Sequence, residues 1–150
     1  MTTRADVDDF LACDRIAVVG VSRSGRKFGN AAYRELKAKG YQVIPVHPQA
    51  DRIEGDACAA SLADIAPPAD GVLIVVPPRE TERVVRDAES AGINRVWMQQ
   101  GSQSDAAVAF CHEHGMRVVS NECILMFARP TGFFHKAHRW LAGAVGRLPR

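Results

Sequence analysis

Few features of this sequence are extreme, and the absences narrow its class. No apolar run reaches the ~18 residues that a membrane-spanning helix needs. The opening MTTRADVDDF carries three acids soon after its one Arg and has no apolar stretch, so a secretory leader is not expected. Cysteine is scarce: Cys13, Cys58, Cys111 and Cys123 form no C-x-x-C pair and follow no regular spacing. With no leader they read as reduced thiols in a cytoplasm rather than a disulfide framework. Charge of one sign is not in excess. Nineteen Lys and Arg face 17 Asp and Glu, and a net +2 is too small to imply nucleic-acid binding. Internal repeats and low-complexity segments are also missing.

The 150 residues, 47% apolar and 24% charged, have ordinary globular composition. A chain of that length buries about 70% of its unfolded surface, enough for one real core. Charge is uneven along it. Glu122 is the last acid, while Arg129, Lys136, Arg139, Arg147 and Arg150 follow, which predicts a basic appendage at 131–150 on a domain at 1–130.

Five apolar runs alternate with helix-like stretches. Strands are expected at Arg15–Gly20, Tyr41–Val46, Gly71–Val76, Asn94–Met98 and Met116–Ser120. Helices are expected at Val7–Cys13, Phe28–Lys39, Pro78–Ala91 and Ser104–His114, the last with Ser104 as N-cap. A short helix at Ser61–Ile65, a brief strand near Ile53, and C-terminal pieces at Ile124–Ala128 and Phe133–Leu148 complete the pattern. Strands apolar on both faces and alternating with helices make an α/β fold, a Rossmann-like doubly wound parallel sheet of about five strands. The C-terminal amphipathic helix is an addition to it. If strands two and three flank strand one, ligands bind at that switch point, beside the loops after Val19 and Val76.

The first of those loops, Gly20 to Asn30, carries Gly20, Ser22, Gly25 and the cations Arg23, Arg26 and Lys27. A glycine-bearing turn into a helix N-terminus suits a phosphate. The dinucleotide fingerprint G-x-G-x-x-G has Ser22 at its middle glycine, and no acid follows the second strand until Asp51. Both departures weigh against NAD. His47 at that strand end suits a phosphorylated ribose better than a free diol. A nucleophile elbow, G-x-S-x-G, would need Gly where Ser24 stands.

The runs IAVVGVSRSGRKFGNAAYRELKAKGYQVIPVHP, IEGDACAASLADI, GVLIVVPP, VWMQQGSQSDAA and RVVSNECILM, in that order, resemble the stand-alone bacterial CoA-binding proteins. They are similar also to the CoA-binding domain of the succinyl-CoA synthetase α subunit and of NDP-forming acyl-CoA synthetases. The resemblance covers roughly residues 10–128 and implies coenzyme A held at the carboxyl edge of the sheet. It implies Gly20, Val21 and Ser22 at the pyrophosphate or pantetheine, with Lys27 on phosphate. Val46, His47 and Pro48 would lie along the adenosine, and Val76, Pro77 and Pro78 along the crevice wall. Gln99, Gln100 and Gly101 would stand near the pantetheine arm. The family often has Asn where His47 stands. Its synthetases use further domains, one with a phosphorylatable His and one that grasps nucleotide.

The expected function is a small cytoplasmic CoA-binding protein, a ligand-binding or regulatory module without ligase activity. The competing functions are an NAD(P)-binding oxidoreductase domain and an acyl-CoA-handling enzyme using Cys123 or a polar group near Gln99. His112 and His114 point apart on a helix, so no metal site is expected there. His135 and His138 read as part of a solvated basic face. On the tail, Phe133, Ala137, Trp140, Leu141, Ala144 and Leu148 fall on one stripe at helical spacing, which predicts a homodimer rather than a membrane contact.

Overall fold

The structure, a computed structural model, describes residues 2–130. The tail helix at Phe133–Leu148, with His135 and His138, lies outside the described residues. Five parallel strands form one sheet: β1 (Arg15–Val19), β2 (Gln42–Val46), β5 (Gly71–Ile74), β6 (Arg95–Gln99) and β7 (Arg117–Glu122), in the order β2-β1-β5-β6-β7. Strands β3 (Arg52–Ile53) and β4 (Asp56–Ala57) form a separate antiparallel hairpin. Helices α1 (Arg4–Leu11), α2 (Phe28–Ala38), α3 (Pro78–Ser90) and α4 (Asp105–Glu113) cover the sheet, and short 3-10 turns stand at Leu62–Asp64 and Ile124–Met126.

Alternation along the strands fills both faces. Ile16, Val18, Leu73, Trp97 and Val119 pack with Val7, Phe10, Tyr33 and Leu36 of α1 and α2. Ala17, Val72, Ile74, Val96, Met98 and Val118 pack with Val84, Val85, Ala107 and Phe110 of α3 and α4. Trp97 is fully buried, meets Phe10 edge-on at a centroid distance of 5.4 Å, and donates its indole N–H to the Glu122 carbonyl at 3.0 Å. The largest buried side chain is thus polar-satisfied as well as packed.

Element ends depart from expectation where local chemistry intervenes. The first helix begins at Arg4 because Thr3 and Asp6 form a reciprocal capping box. The last strand runs on to Glu122 through a bulge: Met98 pairs with Ser120 and Gln99 with Glu122, leaving Asn121 between them at φ 62°. The segment around Ile53 is a hairpin rather than a single strand. It is fixed to α2 by Asp56, which accepts from the Tyr33 hydroxyl at 2.5 Å and from Lys37 Nζ at 2.7 Å.

Candidate functional site

Strand β1 pairs with β2 on one side and β5 on the other, both parallel, so the chain reverses its winding between β1 and β5. The loops after those two strands meet at the carboxyl edge. Gly20 has φ +119°, and a Cβ there would lie 2.0 Å from the Val75 carbonyl oxygen. A Cβ on Gly29 would lie 2.3 Å from the Gly20 carbonyl oxygen. Helix α2 can therefore start against the loop it follows. Gly29 supplies the close helix approach that the third fingerprint glycine supplies elsewhere.

Helix α2 begins without a cap. Lys27 occupies the N-cap position, no side chain accepts from the first amides, and the first turn holds no acid. The positive end of the helix dipole is left facing the loop. Arg23, Arg26 and Lys27 are exposed, and among the described residues none of the three forms an ion pair. Nearby cations on the same helix are otherwise engaged: Arg34 with Glu54 at 2.9 Å and Lys37 with Asp56 at 2.7 Å.

Inside the loop, Ser22 is held on both backbone atoms by one buried side chain. Asn30 Oδ1 accepts from the Ser22 amide at 2.8 Å, and Asn30 Nδ2 donates to the Ser22 carbonyl at 2.9 Å. The Ser22 amide is thus already used, while its hydroxyl pairs with that of Ser24 at 2.7 Å. Asn30 Nδ2 also reaches Glu54 Oε2 at 3.1 Å, on the hairpin between β3 and β4. Hydrogen bonds from Arg34, then Asn30, hold the Glu54 carboxyl below its usual range against the effect of burial.

The other expected residues fall on the same edge with different degrees of freedom. Val21 and Val46 are buried, and Val76 is half-buried at the top of the β5 segment. Pro77 and Pro78 are exposed, and Pro78 is also the first residue of α3, so a crevice wall and a helix entry coincide there. His47 Nδ1 accepts from the Gln49 amide at 3.0 Å. An Asn at that position makes the same kind of bond to the residue two further on. The bond needs a lone pair on Nδ1, so the neutral ring carries its proton on Nε2. Pro48 is exposed beside it.

Gln99 is turned inward, 4% exposed, with Oε1 accepting from the Ile124 amide at 3.1 Å. It fastens the segment after β7 rather than facing solvent. Gln100 and Gly101 are exposed, and Gly101 donates its amide to Gln103 Oε1 at 2.8 Å. Cys123, a free thiol, is half-buried just beyond β7. The residues that the sequence left unremarked are Gly29, Asn30, Arg34 and Glu54. Only Gly29 carried a signal, as the last glycine of the loop.

A doubly wound parallel sheet with a cationic, glycine-bearing first crossover at its switch point defines a Rossmann-like α/β domain. The family profile described as "CoA binding domain" matches residues 14–129, and the chain belongs to that family. It is 28% identical over 123 residues to YneT of Bacillus subtilis (strain 168), covering 81% of this chain and 91% of that protein. It is 25% identical over 129 residues to the α subunit of ADP-forming acetate–CoA ligase II of Pyrococcus furiosus. That match takes in 79% of this chain but only 28% of the ligase subunit. Among solved structures, a protein of Pyrococcus horikoshii OT3 superposes with TM-score 0.77 at 29% identity, over 83% of this chain and 89% of that one. An acetyl-coenzyme A synthetase of Ca. Korarchaeum cryptofilum, in complex with phosphate and ADP, superposes with TM-score 0.65 at 29% identity, over 72% of this chain and 26% of that one. The fold class expected from the sequence and the family resemblance both agree with these findings.

Proposed function

We propose that this chain binds coenzyme A, or an acyl-CoA, at the carboxyl edge of the sheet and acts as a ligand-binding or regulatory module without ligase activity. The observation that carries the reading is the uncapped start of α2, where Arg23, Arg26 and Lys27 stand without carboxylate partners. An anion is the missing partner, and a cofactor with a pyrophosphate and a 3′-phosphate supplies enough negative charge to meet three cations. The N-terminus of α2 and Lys27 would take the pyrophosphate. Val46, His47 and Pro48 would line the adenosine, with His47 Nε2–H free to donate. Pro77 and Pro78, which present no amide donors, would offer an apolar rim, and Gln100 and Gly101 would lie along the pantetheine. Gly20, Val21, Ser22 and Gln99 act in this reading by shaping the edge.

The likeness to the P. furiosus ligase subunit is confined to 28% of that subunit. Four free thiols fit a reducing, cytoplasmic setting. No described helix is long and apolar enough to cross a membrane. Titration calorimetry with CoA and with NAD tests the proposal. CoA is expected to bind and NAD is not, since Ser22 replaces the fingerprint glycine and no acid closes β2. Tighter binding of NAD than of CoA would overturn it.

A further inference from the structure

We propose that Asn30 and Glu54 form a clamp that positions the loop between β1 and α2 for its ligand. The inference rests on the CoA-binding reading and deepens it by naming residues that do not touch the ligand themselves. Three observations carry it. Asn30 is fully buried, yet its amide makes three hydrogen bonds, two of them to the backbone of Ser22 and one to Glu54. Arg34 closes a second arm: it donates to Glu54 Oε2 at 2.9 Å and to the Gly25 carbonyl at 3.2 Å. The two ends of the Ser22–Gly25 turn are thus tied through different side chains to one carboxylate oxygen.

The third observation is where that carboxylate comes from. Glu54 and Gly55 are the two central residues of the hairpin, with φ 52° and 81°. Such turns favour Asn or Asp before the Gly, because a short polar side chain tolerates the left-handed backbone. Glu gains nothing locally from that conformation. What it gains is reach: its side chain, 16% exposed, arrives at Asn30 and Arg34. The strained residue and the buried amide are both explained by one task, holding the loop open in one shape. Since β3 begins at Arg52, at the end of the loop that carries His47 and Pro48, the clamp also joins the two strand-end loops on either side of the proposed phosphate site.

The test uses the full chain and four variants, Asn30→Ala, Glu54→Ala, Glu54→Gln and the double alanine, with CoA titration and amide hydrogen exchange at Ser22. Gln keeps one oxygen that can accept from both Asn30 and Arg34, as Glu54 Oε2 does now. Asn30→Ala and Glu54→Ala should each weaken CoA about tenfold, with faster exchange at Ser22. Glu54→Gln should restore affinity to near that of the unmutated chain, and the double variant should lose little more than either single one. Because Asn30 is buried, Glu54→Ala is the decisive variant should Asn30→Ala misfold. Unchanged CoA affinity in Glu54→Ala, or Glu54→Gln binding as weakly as Glu54→Ala, would overturn the clamp. An unmutated chain that takes up no CoA is a failure of the ligand reading, seen before any variant is compared, and it removes the clamp's purpose with it.

Discussion

Lys27 concentrates the electrostatics of the proposed site in one side chain. It stands at the N-cap of α2, where most helices place a Ser, Thr, Asp or Asn to satisfy the first amides. A lysine side chain cannot accept a hydrogen bond; the Asn30 and Ala31 amides turn to the Lys27 carbonyl at 3.0 and 3.3 Å, the Phe28 and Gly29 amides are given no side-chain acceptor, and a positive charge is added beside them. That arrangement is unfavourable for the helix alone and favourable once an anion arrives. Lys27→Ala should therefore weaken CoA by ~1.5 kcal/mol, about tenfold, the low end for a charged hydrogen bond because the side chain is solvent-exposed. It should leave the thermal midpoint nearly unchanged. Calorimetry against CoA and dephospho-CoA checks this; both should lose affinity alike, since the pyrophosphate is common to them. An unchanged dissociation constant would take Lys27 out of the site.

At the scale of elements, the parallel sheet could be read in advance and the small hairpin only in part. Runs such as RIAVV and GVLI are continuously apolar, and β1 and β5 are buried on both faces. A brief strand is expected near Ile53, where β3 lies; its two-residue partner and the turn are not, because Glu54 stands where a turn signal would place Asn or Asp. Asn30 was hidden for a different reason. Within α2 it reads as an ordinary polar helix residue, and its partners lie 8 and 24 positions away. What holds the hairpin to α2 has a pH signature. Lys37 first, then Tyr33, hold the Asp56 carboxyl below its ordinary 3.8, while burial, then the bond to Asp56, push the Tyr33 hydroxyl up. An acid with a depressed value in the fold adds stability above its unfolded value and loses it as pH falls through the folded one. Stability should thus fall off below about pH 4, and Asp56→Asn should flatten that acid limb. Chemical denaturation from pH 2 to 6 measures it; an unaltered slope in the variant would detach Asp56 from acid stability.

At the scale of the whole molecule, the question is what receives the tail. Both faces of the sheet are already filled, by Trp97, Phe10 and Tyr33 on one side and by Met98, Ile74 and Phe110 on the other. Among the described residues the exposed large apolar side chains are Phe28 and Met126 alone. The family match ends at residue 129. Beyond it the sequence sets Phe133, Trp140 and Leu141 at helical spacing among Lys136, Arg139 and Arg147, with no acid. Burying three such side chains is worth ~5–8 kcal/mol before ordering costs, too much to leave in water. With the core closed, a second copy is the natural receiver, because two-fold association lets one stripe cover its twin. The intact chain should then scatter light as a dimer of the 16.3 kDa protein, and the chain cut after Pro130 should dissociate while still taking up CoA. A monomeric intact chain would return the stripe to the outside of its own body. Binding to anionic vesicles that vanishes with the cut would point instead to a membrane surface.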